Sequence, residues 1–240
     1  MPTLFISDLH LAAERPQISA LFVRFLETQA RQANAVYILG DLFEVWFGDD
    51  MILPDYQPAI AAMKALTDSG VPLFIMHGNR DFFMGEYLMQ LCGATLLDDP
   101  TVIDLDGVPT LLMHGDTLCT DDLEYMKFRA MVRNPQWQQD VLSKSPEERL
   151  ALAKKFRDLS KAETSNKAED IMDVNQAEVE RMFAAYPVQR LIHGHTHRPA
   201  IHDLNINDQN VQRIVLGDWC AQGSVLVCED GQCRLETFTM

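Results

Sequence analysis

Unbroken apolar runs recur along the first half of the chain, separated by segments in which apolar residues recur at helical spacing. The apolar runs occupy residues 2–7, 35–39 and 71–76. Runs of this length predict strands that are buried on both faces. The segments at helical spacing predict one helix from Pro16, one over residues 56–68 that stops at Gly70, and a short one that ends near Gly93. This half therefore predicts alternating strands and helices.

Hairpins dominate the second half. Residues 101–105 and 108–113 flank Asp106-Gly107, a two-residue turn sequence that joins antiparallel strands. Asn175 with Glu178 predicts a capping box for a helix that extends to about Tyr186. The remaining predicted strands occupy residues 188–192, the vicinity of 201, 211–216, 224–228 and, after a turn, 232–238.

Residues 121–170 differ from the rest of the chain because their pattern is helical and rich in charge, with interruptions at Pro135 and Pro146. The whole pattern predicts the α/β (α+β) class, with two sheets packed face to face and helices outside. We expect residues 1–240 to form a single domain. Within it, we expect residues 121–170 to be a helical insertion, or lid.

The composition is that of a globular protein with a large core, since 47% of the 240 residues are hydrophobic. No apolar stretch approaches the ~20 residues that a membrane span needs, and no basic leader precedes the first strand. We therefore expect a cytoplasmic protein. Its five cysteines form no CxxC pair, so we also expect reduced thiols.

The net charge of −15 argues against a protein that coats nucleic acid. The charge is also unevenly spread. Residues 121–170 contain ten basic and ten acidic side chains, while the rest of the chain contains ten basic and twenty-five acidic ones. Half of the cationic residues thus lie in a neutral segment of an acidic body, and an anionic ligand or surface would approach this segment first.

Polar groups follow five apolar runs at the points where strands would end. Asp41 follows residues 35–39 after a single glycine, and its two carboxylate oxygens are able to bridge two cations. Ligands of open α/β sheets bind beyond the carboxyl ends of strands, so we expect these groups to meet. A single buried His or Asp is more often a core residue than a ligand, but seven at equivalent positions favour a metal site. The seven are Asp8, His10, Asp41, Asn79, His114, His195 and His197.

The types of these ligands restrict the metal. Oxygen and imidazole ligands without a thiolate suit Mn²⁺, Mg²⁺, Fe²⁺ or Zn²⁺, and the mixture of carboxylate, amide and imidazole favours Mn²⁺. Two such cations ~3.5–4 Å apart polarise a phosphoryl group and lower the pKa of a bound water. The sequence therefore predicts two Mn²⁺ ions per chain and hydrolysis of a phosphoester.

Five short motifs resemble those of the calcineurin-like metallophosphoesterases. They are Asp8-Leu9-His10, Gly40-Asp41-Leu42-Phe43-Glu44, Gly78-Asn79-Arg80-Asp81, His114-Gly115-Asp116 and Gly194-His195-Thr196-His197. The resemblance implies a double β-sandwich flanked by helices. It also implies two ligand sets that share Asp41. One set is Asp8, His10, Asp41 and His197, and the other is Asp41, Asn79, His114 and His195.

Two positions depart from the common pattern of that family. Arg80 stands where many members have a His or similar proton donor, and Glu44 replaces a common Asp. An arginine cannot act as a general acid at neutral pH, but it can grip a phosphate bidentately. A leaving phosphate needs little protonation, so the departure at Arg80 is compatible with cleavage of a diphosphate.

Similarity to one branch of the family extends over almost the full length, including the insertion. It implies hydrolysis of UDP-2,3-diacylglucosamine to UMP and 2,3-diacylglucosamine 1-phosphate in lipid A biosynthesis. The enzyme would use Mn²⁺ and bind peripherally to the cytoplasmic face of the inner membrane, without an obligate protein partner. The implied catalytic residues are Asp41, Asn79, Arg80, His114 and His195. The implied substrate contacts are Asn79, Arg80, Asp122, Ser160, Thr164, Lys167 and His195, with Thr164 at a position that is often Asn.

Apolar residues of the insertion either line a slot for acyl chains or merely seat the insertion on the body. They are Phe128, Met131, Val132, Leu150, Leu152 and Phe156. Two other functions remain open. A different phosphoesterase on the same scaffold is disfavoured by Arg80 and the mixed-charge insertion. A binding protein that has lost catalysis is disfavoured by the intact set of ligands.

Overall fold

A computed structural model describes residues 1–164 and 173–239, with the backbone alone for residues 157–164. The strands are β1 (Thr3–Ile6), β2 (Ala35–Leu39), β3 (Leu73–Met76), β4 (Thr95–Leu97), β5 (Thr101–Leu105), β6 (Val108–Met113), β7 (Arg190–His193), β8 (Ala200–Ile206), β9 (Gln209–Val215), β10 (Gly223–Glu229) and β11 (Gln232–Phe238). The helices are α1 (Pro16–Glu27), α2 (Gln57–Asp68), α3 (Glu86–Cys92), α4 (Leu123–Val132), α5 (Pro135–Leu142), α6 (Pro146–Thr164) and α7 (Gln176–Ala185).

The strands form two mixed sheets. One has the order β11-β10-β1-β2-β3-β4 and the other the order β5-β6-β7-β9-β8. Strands β1 to β4 run parallel, as do β6, β7 and β9, while β5–β6, β8–β9 and β10–β11 are antiparallel pairs. The parallel pairing brings the C-terminal ends of β1, β2 and β3 to one edge of the first sheet, and those of β6 and β7 to one edge of the second.

The apolar runs are unbroken because the central strands are covered on both faces. In β1, Leu4 and Ile6 join the core formed with α1 and α2, while Phe5 packs between the two sheets. In β6, Leu112 packs between the sheets, while Leu111 joins the core formed with α7. The layers are therefore helix, sheet, sheet and helix, which confirms the predicted αββα sandwich.

Local differences from the predicted elements have simple causes. Strand β4 was not predicted, because three residues are too few to show the alternation of apolar and polar residues that indicates a strand. Asn175 caps α7 as predicted by accepting hydrogen bonds from the N–H groups of Ala177 and Glu178. The reciprocal half of the capping box is not formed, because the Asn175 N–H donates to the Leu118 carbonyl at 2.8 Å and the Glu178 carboxylate pairs with Arg181.

The expectation of reduced thiols is wrong for one pair of cysteines. Cys228 and Cys233 lie opposite each other in the β10–β11 hairpin, with their Cα atoms 4.2 Å apart, and form a disulfide. The pairing depends on hairpin register, which the spacing of the cysteines alone did not reveal. Cys92 and Cys119 are buried free thiols, as expected.

Helices α4, α5 and α6 lie in the charged segment, so its predicted helical structure is confirmed up to Thr164. Its role as an insertion stays a prediction. Arg149 of α6 fixes this segment to the body, because the guanidinium donates to the Phe47 carbonyl at 2.7 Å and pairs with Asp50 in the same loop after β2. Within the residues that the structure describes, no helix combines the length and apolar character needed to cross a membrane.

Candidate active site

The structure brings the seven predicted ligands together beyond the C-terminal ends of five strands. Asp8 and His10 follow β1, Asp41 follows β2, Asn79 follows β3, His114 follows β6, and His195 and His197 follow β7. Both sheets therefore contribute to one site, as the strand ends predicted. Asp8, Asp41 and His114 are buried there, although ionisable side chains are seldom buried without partners.

Three of these residues form the first cluster, which consists of Asp8, His10 and His197. Their ligand atoms lie within 4.8 Å of one another. His197 Nε2 is 3.3 Å from Asp8 Oδ1 and 3.5 Å from His10 Nε2. One carboxylate oxygen and two imidazole nitrogens thus converge on a common point.

The second cluster consists of Asn79, His114 and His195. The side-chain oxygen of Asn79 lies 3.0 Å from His114 Nε2 and 3.0 Å from His195 Nδ1. His114 Nδ1 is 2.9 Å from the Leu39 carbonyl oxygen, so an Nδ1–H donor fixes the ring with Nε2 toward the site. This cluster therefore also gathers one oxygen and two nitrogens.

Asp41 lies between the clusters. Its Oδ2 is 3.8 Å from His10 Nε2 in the first cluster, and its Oδ1 is 3.9 Å from His114 Nε2 in the second. This placement agrees with the predicted bridge. Asp8 also groups with Asp41 and His114, so two carboxylates are close to both positions. The assignment of the bridge to Asp41 stays a prediction.

The electrostatics of the site suit cations. Asp8 Oδ1 is buried and makes no hydrogen bond of normal geometry among the described residues. Burial raises the pKa of Asp8, but the proximity of His197 and the charges of His114 and His10 outweigh it and hold the pKa well below its usual range. A buried carboxylate that stays ionised requires a compensating positive charge. A divalent cation would supply that charge at this oxygen.

The pKa values of the two histidines in the second cluster are shifted in opposite directions. Burial lowers the pKa of His114, but the charges of Asp41, Asp8 and Asp116 raise it to about 9. Burial and the charge of His114 lower the pKa of His195 to about 4. The negative field that holds a proton on His114 would equally attract a metal ion. The donor set and the field together fit divalent metals.

Two carboxylates lie behind the histidine ligands, and the sequence identified only Glu44, as a departure from the family pattern and without a role. Glu44 Oε2 lies 3.2 Å from His10 Nδ1, and Asp218 Oδ2 lies 3.9 Å from His197 Nδ1. A carboxylate within hydrogen-bond distance, as Glu44 is from His10, sets the ring orientation of a metal-bound histidine. Asp218 was missed, although it follows Gly217 after the apolar end of β9 in the same way that Asp41 follows Gly40 after β2.

Asp81 connects the loops after β2 and β3. Its fully buried carboxylate accepts hydrogen bonds from the Gly78 N–H at 2.8 Å and from the Phe43 N–H at 3.2 Å. Burial and the charge of Asp41 raise its pKa to about 6. Asp81 belongs to a quoted motif, but the sequence gave it no role. Its contacts identify it as the residue that fixes the Asn79 loop against the Asp41 loop.

The backbone of the site is unusual in two ways. Asp8, His10, Asp41, His195 and His197 all have left-handed φ angles, between 49° and 69°. Gly78 approaches Asp41 so closely that a Cβ atom there would lie 2.0 Å from Asp41 Oδ1. Non-glycine residues adopt such backbones mainly where the surrounding structure enforces them, which is typical of functional sites.

The predicted substrate contacts are described only in part. The Arg80 N–H donates to Asp41 Oδ1 at 2.8 Å, which fixes its backbone at the site. Asp122 is the N-cap of α4 and accepts a hydrogen bond from the Tyr125 N–H at 3.0 Å. Ser160 and Thr164 lie on α6, where the backbone alone is described, and Lys167 lies outside the described residues. The roles of all these residues in binding stay predictions.

Comparison with known protein families agrees with the motifs and the fold. Residues 1–199 match the family described as Calcineurin-like phosphoesterase, and this match contains all seven candidate ligands. The chain belongs to the calcineurin-like phosphoesterase family. Members of a metallophosphoesterase family use divalent metals, so the family supports the metal-binding character that the geometry indicates.

Several known proteins resemble this chain over nearly their full length. The protein of Marinobacter nauticus is 52% identical over 91% of this chain and 90% of its own length. The protein of Pseudomonas fluorescens is 51% identical over 98% of this chain and 94% of its own. The protein of Chromohalobacter salexigens is 52% identical over 99% of this chain and 98% of its own length. Each is named UDP-2,3-diacylglucosamine hydrolase.

The close contact between Gly78 and Asp41 gives a test of the metal site. Gly78→Ala should weaken metal binding, because the new Cβ would lie 2.0 Å from Asp41 Oδ1 and force the carboxylate to move. We expect the affinity to fall ~10–100-fold, as when the support of a metal ligand is removed. Calorimetric titration with Mn²⁺ measures the change.

Gly107→Ala is the matched control. Gly107 lies in the β5–β6 turn with a φ of +81° and open space around its Cβ position, so alanine there adds backbone strain without touching a ligand. This variant should lose ~1 kcal/mol of stability and keep wild-type metal affinity. Wild-type affinity in folded Gly78→Ala would instead remove Asp41 from the ligand set.

Proposed function

We propose that this chain hydrolyses the diphosphate bond of UDP-2,3-diacylglucosamine in lipid A biosynthesis, and that it releases UMP and 2,3-diacylglucosamine 1-phosphate. The observation that carries the proposal is 52% identity over 99% of this chain to a protein named UDP-2,3-diacylglucosamine hydrolase. The two clusters around Asp41 support it, because a diphosphate is a substrate on which paired cations act.

The chain's own residues would hold the reacting groups. Asp8, His10 and His197 would hold one cation and the second cluster the other, and the position of Asp41 between the clusters supports this assignment. Two bound divalent cations would supply phosphoryl polarisation and a water of lowered pKa. In the overall reaction, water cleaves one P–O bond of the bridge, so that one phosphate gains the hydroxyl group and the other departs.

Arg80 would bind the phosphates of the substrate. Its backbone is fixed at Asp41, and its Nε is buried without a hydrogen-bond partner among the described residues. A guanidinium binds phosphate oxygens bidentately and keeps its proton at neutral pH. A departing phosphate needs little protonation, whereas a departing alkoxide needs a proton donor. An arginine at this position therefore suits cleavage of a diphosphate better than cleavage of an ester with an alkoxide leaving group.

The working metal is proposed to be Mn²⁺, with two ions per chain. The candidate ligands combine carboxylate, amide and imidazole groups without a thiolate. Such a set accommodates Mn²⁺ well, whereas a site rich in cysteine would favour Zn²⁺ or iron–sulfur clusters. We expect chelation to abolish the activity. Added Mn²⁺ should then restore more activity than Mg²⁺ or Zn²⁺ does.

The insertion is proposed to bind the acylated sugar. Phe128 of α4 and Phe156 of α6 form an edge-to-face pair with ring centroids 5.2 Å apart, so aromatic side chains of both helices meet. Val132 is buried, and Leu152 packs against the main core, so Leu152 contributes to seating the insertion on the body. We propose that Phe128 and Phe156 belong to the slot for the acyl chains and that Leu152 belongs to the seat on the body.

The insertion is also proposed to contact the inner membrane from the cytoplasmic side. Among the large apolar side chains that are exposed on the described residues, four lie on its helices: Leu123, Met131, Leu142 and Leu150. The segment is neutral, while the body is strongly acidic. The neutral segment repels anionic lipid less than the acidic body does. Exposed apolar side chains on this segment therefore favour attachment to the membrane there.

Product analysis tests the proposed activity. The wild-type protein with Mn²⁺ should convert UDP-2,3-diacylglucosamine to UMP and 2,3-diacylglucosamine 1-phosphate, detected by mass spectrometry. Asp41→Ala should lose both metals and reduce kcat by at least ~10³, because the residue lies between the clusters.

Asp68→Ala is the control for this substitution. Asp68 lies on the exposed surface of α2 and should be replaceable without effect on metal content or turnover. Faster turnover of simple nucleotides than of the lipid substrate would contradict the proposed substrate. Two bound metals and normal turnover in Asp41→Ala would contradict the bridging role.

Lys167 gives a second test. A charge-assisted hydrogen bond to substrate contributes roughly 1.5–3 kcal/mol, so Lys167→Ala should reduce kcat/KM by about 10- to 150-fold. The metal content should stay at the wild-type level, because Lys167 is not a proposed ligand. Thr164→Ala should reduce kcat/KM less, since a neutral hydroxyl contributes only about 0.5–1.5 kcal/mol.

Lys64→Ala, on the exposed face of α2, is the control for Lys167→Ala. Equal kinetics in the two variants would remove Lys167 from the binding site.

Vesicle binding tests the membrane contact. Replacement of Met131, Leu142 and Leu150 by serine should weaken sedimentation with phosphatidylglycerol vesicles at least ~10-fold, because burial of even part of a large apolar side chain contributes about 1 kcal/mol or more. The matched control replaces Tyr87 and Val102, which are exposed on the body, by serine. Equal losses in the two sets would show that the insertion has no special role in attachment.

A further inference from the structure

One stripe of side chains connects the insertion to the metal centre. Tyr125 and Arg129 of α4, and Arg133 directly after the helix, are spaced four residues apart, so they lie along one face. The hydrophobic pattern of this helix is weak, and it buries only Val132 among its apolar residues. The stripe makes polar contacts with the body.

Two members of the stripe bind the loop that carries His114. Asp116, two residues beyond His114, is fully buried. Its Oδ2 accepts hydrogen bonds from the Tyr125 hydroxyl at 2.7 Å and from Arg129 Nε at 2.7 Å. A buried carboxylate is costly without a charged partner, and Arg129 is that partner. The His114 loop is thus fixed by an ion pair from the insertion.

The third member binds the loop that carries Asn79. The Nη2 group of Arg133 donates to the carbonyl of Gly78, the residue before Asn79, at 2.9 Å. Its guanidinium also lies 5.1 Å from the ring centroid of Phe82, in the same loop. The ring of Tyr125 lies 5.7 Å from that of His195. The stripe therefore contacts all three loops of the second cluster.

The first cluster is supported from elsewhere. Glu44 and Asp218 face His10 and His197, and both come from loops of the body. Arg15 donates to the carbonyls of Leu9 and His10, which lie beside the cluster. The first cluster therefore has supports on the body that do not involve α4, although Asp41 lies between the clusters and His195 and His197 share the loop after β7.

We propose that Arg129 and Arg133 are positioning residues for the second metal position, and that the insertion thereby controls metal occupancy at this position alone. The inference rests on the proposed function for the metals and the substrate. It adds that a segment proposed to bind substrate also holds two ligands in place. Displacement of α4 would loosen Asn79 and His114 together. Glu44, Asp218 and Arg15 would still support the first cluster.

Metal stoichiometry in single variants of the full chain tests this inference. Mn²⁺ titration followed by electron paramagnetic resonance should show two ions in the wild-type protein. In Arg129→Met and Arg133→Met, one ion should bind at least ~10-fold more weakly, while the other keeps wild-type affinity. Arg129→Lys should recover part of the loss, since lysine can restore the charge pair with Asp116.

Lys127→Met is the matched control, because it removes a positive charge from the exposed face of the same helix. It should bind both ions as the wild-type protein does. Wild-type affinity for both ions in Arg129→Met and Arg133→Met would overturn the inference. Equal weakening of both ions would also overturn it, since that result indicates a general loss of structure.

The affinity readout separates this inference from the proposed activity. If the wild-type protein binds two Mn²⁺ ions but releases no UMP from the lipid substrate, the proposed function fails, while the selective loss of one ion still decides the role of the stripe. If Arg129→Met does not fold, Arg129→Lys carries the test. The lysine variant should then show a smaller loss confined to one ion, and a loss shared by both would contradict the proposal.

Discussion

The active-site region depends on close packing between the loops that follow β2 and β3. Gly78 lets the backbone touch the Asp41 carboxylate, and Asp81 binds the N–H groups of both loops. Left-handed backbone at five candidate ligands adds strain of order 1–3 kcal/mol each. Apolar packing on both faces of the strands that carry the ligands helps to offset this cost.

The elements and ligands that were predictable share one property, which is that the relevant signal is local. Unbroken runs revealed the strands, and a polar residue after each run revealed the site. Asp218 carried the same signal but belonged to no quoted motif. The Cys228–Cys233 pair and the contacts of Arg129 and Arg133 depend on register and on packing between distant segments, and α4 shows no clear apolar face from which its orientation could be inferred.

The charged segment is integrated with the body rather than appended to it. Arg149 enters the loop after β2, and Arg129 pairs with the fully buried Asp116 beside a candidate ligand. The carboxylate of the Arg129–Asp116 pair is fully buried, and a buried pair is costly to break on one side only, whereas the partner of Arg149, Asp50, is exposed. The contacts of Arg129 and Arg149 are directional, so they favour one orientation of α4 and α6 on the body, whereas a purely apolar interface would permit several.

The position of β1 has a consequence for biosynthesis. β1 lies between β2 and β10, and Leu4 pairs with Val227 near the far end of the chain. A ribosome delivers β1 early and residues 223–229 late, so one edge of β1 has no partner during most of translation. Pairings across such distances form slowly, and open strand edges invite association with other chains. That edge of β1 therefore stays open until residues 223–229 have emerged and paired with it.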